Sequence, residues 1–162
     1  MTVRVRYVLG KDWSSRAIAY VSFGHLSHAE AMRDDGMVWG ARDDAIGGKP
    51  PGVQLRPNDY AQFKYQIVYT IPTTELQEES FWAWWESQEG KPYDSKAIFG
   101  FAFDRNWHQP GWWICSAALN NSLQSIDLIA WDLYLPPNKI TPVMSAVLVS
   151  GIKGTTYREI LG

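Results

Sequence analysis

Residues 26–42, LSHAEAMRDDGMVWGAR, constrain the fold of this chain more than any other stretch. LSHAEAM and MVWGA read as two short strands, and the RDDG between them places Asp35-Gly36 where a tight turn needs a residue tolerant of positive φ. The reading is a β-hairpin, which commits the fold to antiparallel pairing. VRVRYVL near the N-terminus alternates with period two, and FKYQIVYTI alternates aromatic or β-branched residues with polar ones, so both are predicted strands. RDDAIGGKPPG, dense in Gly, Pro and Asp, is a predicted loop over about residues 42–53.

The remaining periodic segments read as helices. SSRAIAYVS has Ser14 or Ser15 as a cap. TTELQEESFWAWWESQEG has Thr73 or Thr74 as a cap, acidic early turns and Gly90 as a stop. Asp94 in KPYDSKAIFGF opens another helix, CSAALNNSLQSI a further one beginning near Cys115, and Thr141-Pro142 the last. The predicted class is α+β, an antiparallel sheet packed against helices, in a single domain over all 162 residues.

Charge and cysteine usage narrow the function classes. A formal net charge of -2, with Lys and Arg scattered among Asp and Glu, offers no basic stripe for phosphates, which argues against nucleic acid as a partner. One cysteine excludes an internal disulfide. The N-terminal residues lack the apolar run of a signal peptide, and TPVMSAVLVSGI is far shorter than the roughly 20 residues of a membrane helix. A soluble protein, cytoplasmic or phage-associated, is the reading; nothing fixes an oligomeric state. Nine tryptophans crowd into FWAWWESQEG and RNWHQPGWW, either as core and cleft walls or as an indole platform for a glycan or peptide.

If residues 26–32 are extended, His28 and Glu30 project on one side of the strand and His25 on the other. A carboxylate two residues along can fix an imidazole's tautomer and orientation for work as a base; a packed histidine on a sheet face is the alternative. Cys115 sits at a predicted helix N-terminus, where unpaired N–H groups and the helix dipole favour a thiolate or hold an oxyanion. The aromatic segment before it, with Trp113, can wall a cleft. A small buried hydrophobe is the alternative reading for this thiol.

LSHAEAM with its DG hairpin and WGAR, then GKPYD, then an aromatic-Cys-Ser, then ITP near the end, resembles the circularly permuted branch of the NlpC-like papain-fold cysteine peptidases and amidases, found in phages and bacterial cell-envelope systems. In that branch the histidine strand precedes the cysteine, as His28 precedes Cys115. The resemblance implies a papain-like permuted fold with Cys115 as nucleophile and His28 as general base. Glu30 is the candidate for orienting the imidazole, with Asp43 and Asp44 in reserve. Tyr93 matches a tyrosine that often lies beside the nucleophile and can contact the substrate carbonyl, with a tyrosine packed under the cleft as the alternative, and Trp113 is the second candidate for substrate contact. The implied substrate is a peptide or small amide, with peptidoglycan stem peptides foremost, and no cofactor is required. One departure stands out: the branch commonly carries Cys-Ser-Glu-Leu, whereas Ala117 replaces the glutamate here. If that glutamate tethers a loop its loss is harmless; if it shapes the substrate site, specificity or activity is altered.

Three other classes remain open: the tryptophan-rich binding module, a metal hydrolase using His25, His28 and Glu30 without the helical His-Glu-x-x-His spacing, and a glycosidase using Glu86 and Glu89 on an acidic helix face.

Overall fold

The structure is a computed structural model describing residues 1–11, 25–97, 108–129 and 139–162. The proposed helix at SSRAIAYVS lies outside the described residues. Strands β1 (Thr2–Gly10), β2 (His28–Met32), β3 (Met37–Arg42), β4 (Gly52–Pro57), β5 (Phe63–Pro72) and β6 (Thr156–Leu161) form one antiparallel sheet in the order β4-β3-β2-β1-β5-β6. The hairpin forms where the sequence placed it. Gly36 takes φ 82°, Asp35 Oδ1 accepts the Met37 N–H at 3.1 Å, and Ala31 and Met32 pair with Trp39 and Val38. Two strands were not anticipated. β4 begins inside the predicted loop, and β6 is an exposed edge strand with little apolar patterning.

The described residues contain helices α1 (Glu75–Gln88), α2 (Cys115–Gln124) and α3 (Pro142–Ser150). Thr74, not Thr73, caps α1: its hydroxyl accepts the Gln77 N–H while the Gln77 side chain returns to the Thr74 N–H, a reciprocal capping box. Thr141 caps α3 with Pro142 in its first turn. Asp94 accepts the Ala97 N–H at 3.1 Å as residues 95–97 turn helical, so the predicted cap is present. Among the described residues no helix is long and apolar enough to cross a membrane.

Strand alternation divides the sheet into two faces. Val3, Val5 and Tyr7 of β1, Ala29 and Ala31 of β2, Trp39 and Ala41 of β3, and Ile67, Tyr69 and Ile71 of β5 pack with Phe81 and Trp85 of α1, Ala118, Leu119 and Leu123 of α2, and Ala146 and Val149 of α3. Trp39 stacks on Trp85 at 6.4 Å between ring centroids. The small Ala29 and Ala31 let α2 approach β2 closely. A buried polar chain, Tyr7 Oη to Ser145 Oγ at 2.6 Å and Ser145 Oγ to Asn120 Oδ1 at 2.9 Å, ties β1, α3 and α2 together.

The second face carries Arg6, His28, Glu30 and Arg56, all buried, beside a small apolar cluster of Met32, Val38 and Val68. Its cover is the connection from β4 to β5. With β4 at one edge and β5 beyond β1, residues 58–62 must cross β3, β2 and β1. They run from the hairpin turn, where the Asn58 N–H donates to Gly36 O at 2.9 Å, towards Gly10, which pairs with Phe63. Tyr60 is thereby laid over Glu30.

Candidate active site

His28 is the first residue of β2 and stands at the end of the sheet, where the N-terminus of α2 arrives. The residue before that helix, Ile114, is a β-conformation cap with no side-chain hydrogen bond, so the first N–H groups of α2 are not consumed by a capping oxygen. Cys115, only 3% exposed, uses this position: the Ser116 N–H and the Ala29 N–H of β2 both interact with its sulfur, and so does the His28 side chain. Sheet end, helix start and imidazole thus converge on one sulfur.

His28 Nε2 lies 3.2 Å from Glu30 Oε1. At that distance Nε2 is in ion-pair contact but makes no hydrogen bond, while Oε1 accepts the Tyr60 hydroxyl. Oε2 accepts from Arg6 Nε at 2.8 Å and Arg6 Nη2 at 2.5 Å. Gly40 of β3 makes room for the pair: a Cβ there would lie 3.3 Å from both Glu30 Cγ and His28 Nε2.

Each ionisable group is moved by these neighbours. Burial alone would raise the Glu30 carboxyl, but the Arg6 charge, His28 and the Tyr60 hydroxyl outweigh it and hold Glu30 well below the usual carboxylate range. Burial would lower His28, yet Cys115 and Glu30 raise it above its ordinary value. Burial would raise the Cys115 thiol, yet His28 and the two backbone N–H groups bring it below the ordinary value. A depressed thiol facing an elevated imidazole is the electrostatic pattern of a thiolate–imidazolium pair.

Around this centre the other candidates separate. Tyr93 is buried next to Cys115, and burial followed by the thiol's charge pushes its hydroxyl up. Trp113 pairs its backbone with Tyr93 and Asp94, while its indole N–H donates to Gln88 at 3.1 Å and its ring packs edge-on against Trp84. Its hydrogen-bonding edge is therefore engaged with α1. Asp44 is taken by Arg42, at 2.6 and 2.9 Å, rather than by His28, and Asp43 is exposed, so Glu30 is the carboxylate in contact with the imidazole. Ala117 is buried in the helix-side core.

His25 is exposed ahead of β2, away from the strand positions of His28 and Glu30, and no group of three or more metal-ligating side chains forms among the described residues. Glu86 is exposed on α1, 3.9 Å from Arg33, and Glu89 caps the helix end by its backbone. Phe81 and Trp85 are fully buried and Trp82 and Trp84 pack against them, so the first tryptophan cluster is chiefly core; Trp112 alone among the described tryptophans is more than a third exposed. Arg6, Tyr60 and Arg42 were not anticipated. The available signal was an arginine at alternate positions of an otherwise apolar strand, whose buried face then demands a carboxylate on the next strand.

No family model and no curated protein matches the sequence. The chain is similar in structure to the metalloprotein yiiX (DUF1105) from Escherichia coli O157:H7, with a TM-score of 0.60 over 98% of this chain and 96% of that one, at 18% identity. At that identity the likeness extends to the fold, an α+β arrangement shared over nearly the full length of both chains.

Proposed function

We propose that this chain is a cysteine hydrolase of amide bonds, built as a circularly permuted NlpC-like papain fold. The observation that carries the reading is the convergence of Cys115, His28 and Glu30, from two separate parts of the chain, into one buried, mutually ionising set. The order, histidine strand first and nucleophile helix later, fits the permuted branch.

In this reading the Cys115 thiolate attacks an amide carbonyl. The tetrahedral oxyanion rests on the Cys115 backbone N–H and a neighbouring donor at the start of α2, where the dipole favours negative charge. His28 gives its proton to the departing amine, then takes one from water, which hydrolyses the thioester and returns the free thiol. Glu30 remains ionised throughout and holds the imidazole in the Nε2–H tautomer. Tyr93, buried beside Cys115, is the residue that the resemblance assigns to the substrate carbonyl. The substrate class, a peptidoglycan stem peptide or a related small amide, rests on the resemblance of the motifs.

The metal implied by the description of yiiX does not fit this centre. Both oxygens of Glu30 already accept donors, one of them a guanidinium whose charge opposes a second cation, and His25 is not beside the pair. The test is Cys115→Ala against stem-peptide fragments: turnover falls to background while circular dichroism and melting stay those of a folded protein. Hydrolysis retained in that variant overturns the assignment.

A further inference from the structure

The geometry points to Arg6 as a positioning residue of this site, which acts on the nucleophile only through Glu30; the inference rests on the cysteine-hydrolase reading. Arg6 and Glu30 are direct cross-strand partners on β1 and β2, 4% and 1% exposed. The guanidinium places two donors on one carboxylate oxygen, a third on Asn58 O at 2.9 Å and Gln66 Oε1 at 3.3 Å, and its face 4.8 Å from the Phe63 ring centroid. Its own position is therefore fixed by β5 and by the connection that crosses the sheet.

The hydrogen-bond inventory makes the orientation determinate. An arginine only donates, so Arg42 Nη1, 3.1 Å from Tyr60 Oη, occupies that oxygen as a donor and leaves the single Tyr60 proton for Glu30 Oε1. Oε2 is filled by Arg6. The carboxylate thus has one acceptor position left, on Oε1, and His28 Nε2 is the nitrogen beside it at 3.2 Å. Arg6, Tyr60 and His28 are in direct contact with Glu30, Arg56 adds a more distant positive charge, and Arg42 and Asp44 stand behind Tyr60. Without Arg6, a buried carboxyl faces its desolvation with only a phenol and an imidazole, takes up a proton, and ceases to anchor the imidazolium.

The experiment is a double-mutant cycle, Arg6→Gln, Glu30→Gln and the two together, read by the pH dependence of Cys115 alkylation with iodoacetamide. Every label reports on the chain's single cysteine. Each single variant is expected to slow alkylation at pH 6 by about tenfold and move the thiol titration towards the free value of about 8.5. The double variant is expected to match Glu30→Gln, with no further loss. Its neutral pair also keeps the comparison available if Arg6→Gln alone, which strands a buried carboxylate, does not fold. An Arg6→Gln profile identical to wild type, or losses that multiply in the double variant, overturns the inference while leaving the hydrolase reading standing. A wild-type profile that ignores His28→Ala overturns both.

Discussion

The two faces of this sheet are buried to a similar degree by opposite means. The helix-side face excludes water with Val3, Val5, Trp39, Ile71 and the rings of Phe81 and Trp85, whose contribution grows with apolar area and is indifferent to small rotations. The other face buries Arg6, Glu30 and His28 under a five-residue crossing, where each group is tolerable only because every other is in place. The first face supplies apolar burial, and the second gathers buried charged groups beside one sulfur. Mutations should separate the two: one side should lose stability with the thiol chemistry retained, the other should lose the chemistry even when stability is restored.

The largest effect on stability belongs to the apolar face. Trp85→Ala, at a fully buried position stacked on Trp39, is expected to cost about 4 kcal/mol in urea unfolding. The surviving folded protein should keep the wild-type pH profile of Cys115 alkylation. On the other face, Glu30→Leu leaves Arg6 buried without its carboxylate and should cost about 3 kcal/mol, whereas Arg6→Met together with Glu30→Leu should recover most of that loss. Neither should have normal thiol reactivity at pH 6.

The same pair sets a pH dependence. Glu30 is depressed in the folded protein, so its contribution is fully present above its unfolded value of about 4.5 and is lost as pH falls from there towards the folded value. Unfolding free energy measured from pH 6 down to pH 3 should fall less steeply in the double variant than in wild type. A smaller effect, about 1 kcal/mol, is expected for Gly40→Ala, whose new methyl must displace Glu30 or His28. This variant should lower Cys115 alkylation at pH 6 several-fold, an effect out of proportion to its cost in stability. Smallest in consequence is Thr74→Ala, which removes the α1 cap for about 1 kcal/mol and should leave the alkylation profile untouched.

The same contrast explains what the sequence disclosed. The hairpin at Asp35-Gly36, the caps at Thr74, Asp94 and Thr141, and the helix at Cys115 were legible because each is fixed by local chemistry: a turn geometry, an orphan N–H, a helical period. The pairing of His28 with Glu30 was legible for the same reason, since period two puts both on one face. Strand β4 was hidden in a Gly- and Pro-rich stretch, and β6 lacks an apolar face to announce it; both are strands because a neighbour offers a hydrogen-bonding edge. Arg6 left a local trace, an arginine at an alternate position of an apolar strand, but its partner waits on the β1–β2 register; Tyr60 and Arg42 were out of reach because their contacts are set by the crossing of residues 58–62 over the sheet. The tryptophan cluster was legible as helical, and burial of Phe81 and Trp85 follows from that spacing once α1 has a sheet to lie on.

The most direct test of the central claim is the alkylation rate of Cys115 against pH, in wild type and in His28→Ala. The account predicts a wild-type thiol that stays reactive well below the free-cysteine value of about 8.5, and a profile that moves up to that value when the imidazole is removed. A wild-type profile that follows an ordinary thiol, unchanged in His28→Ala, would contradict it and leave Cys115 as a packed residue at the start of a helix.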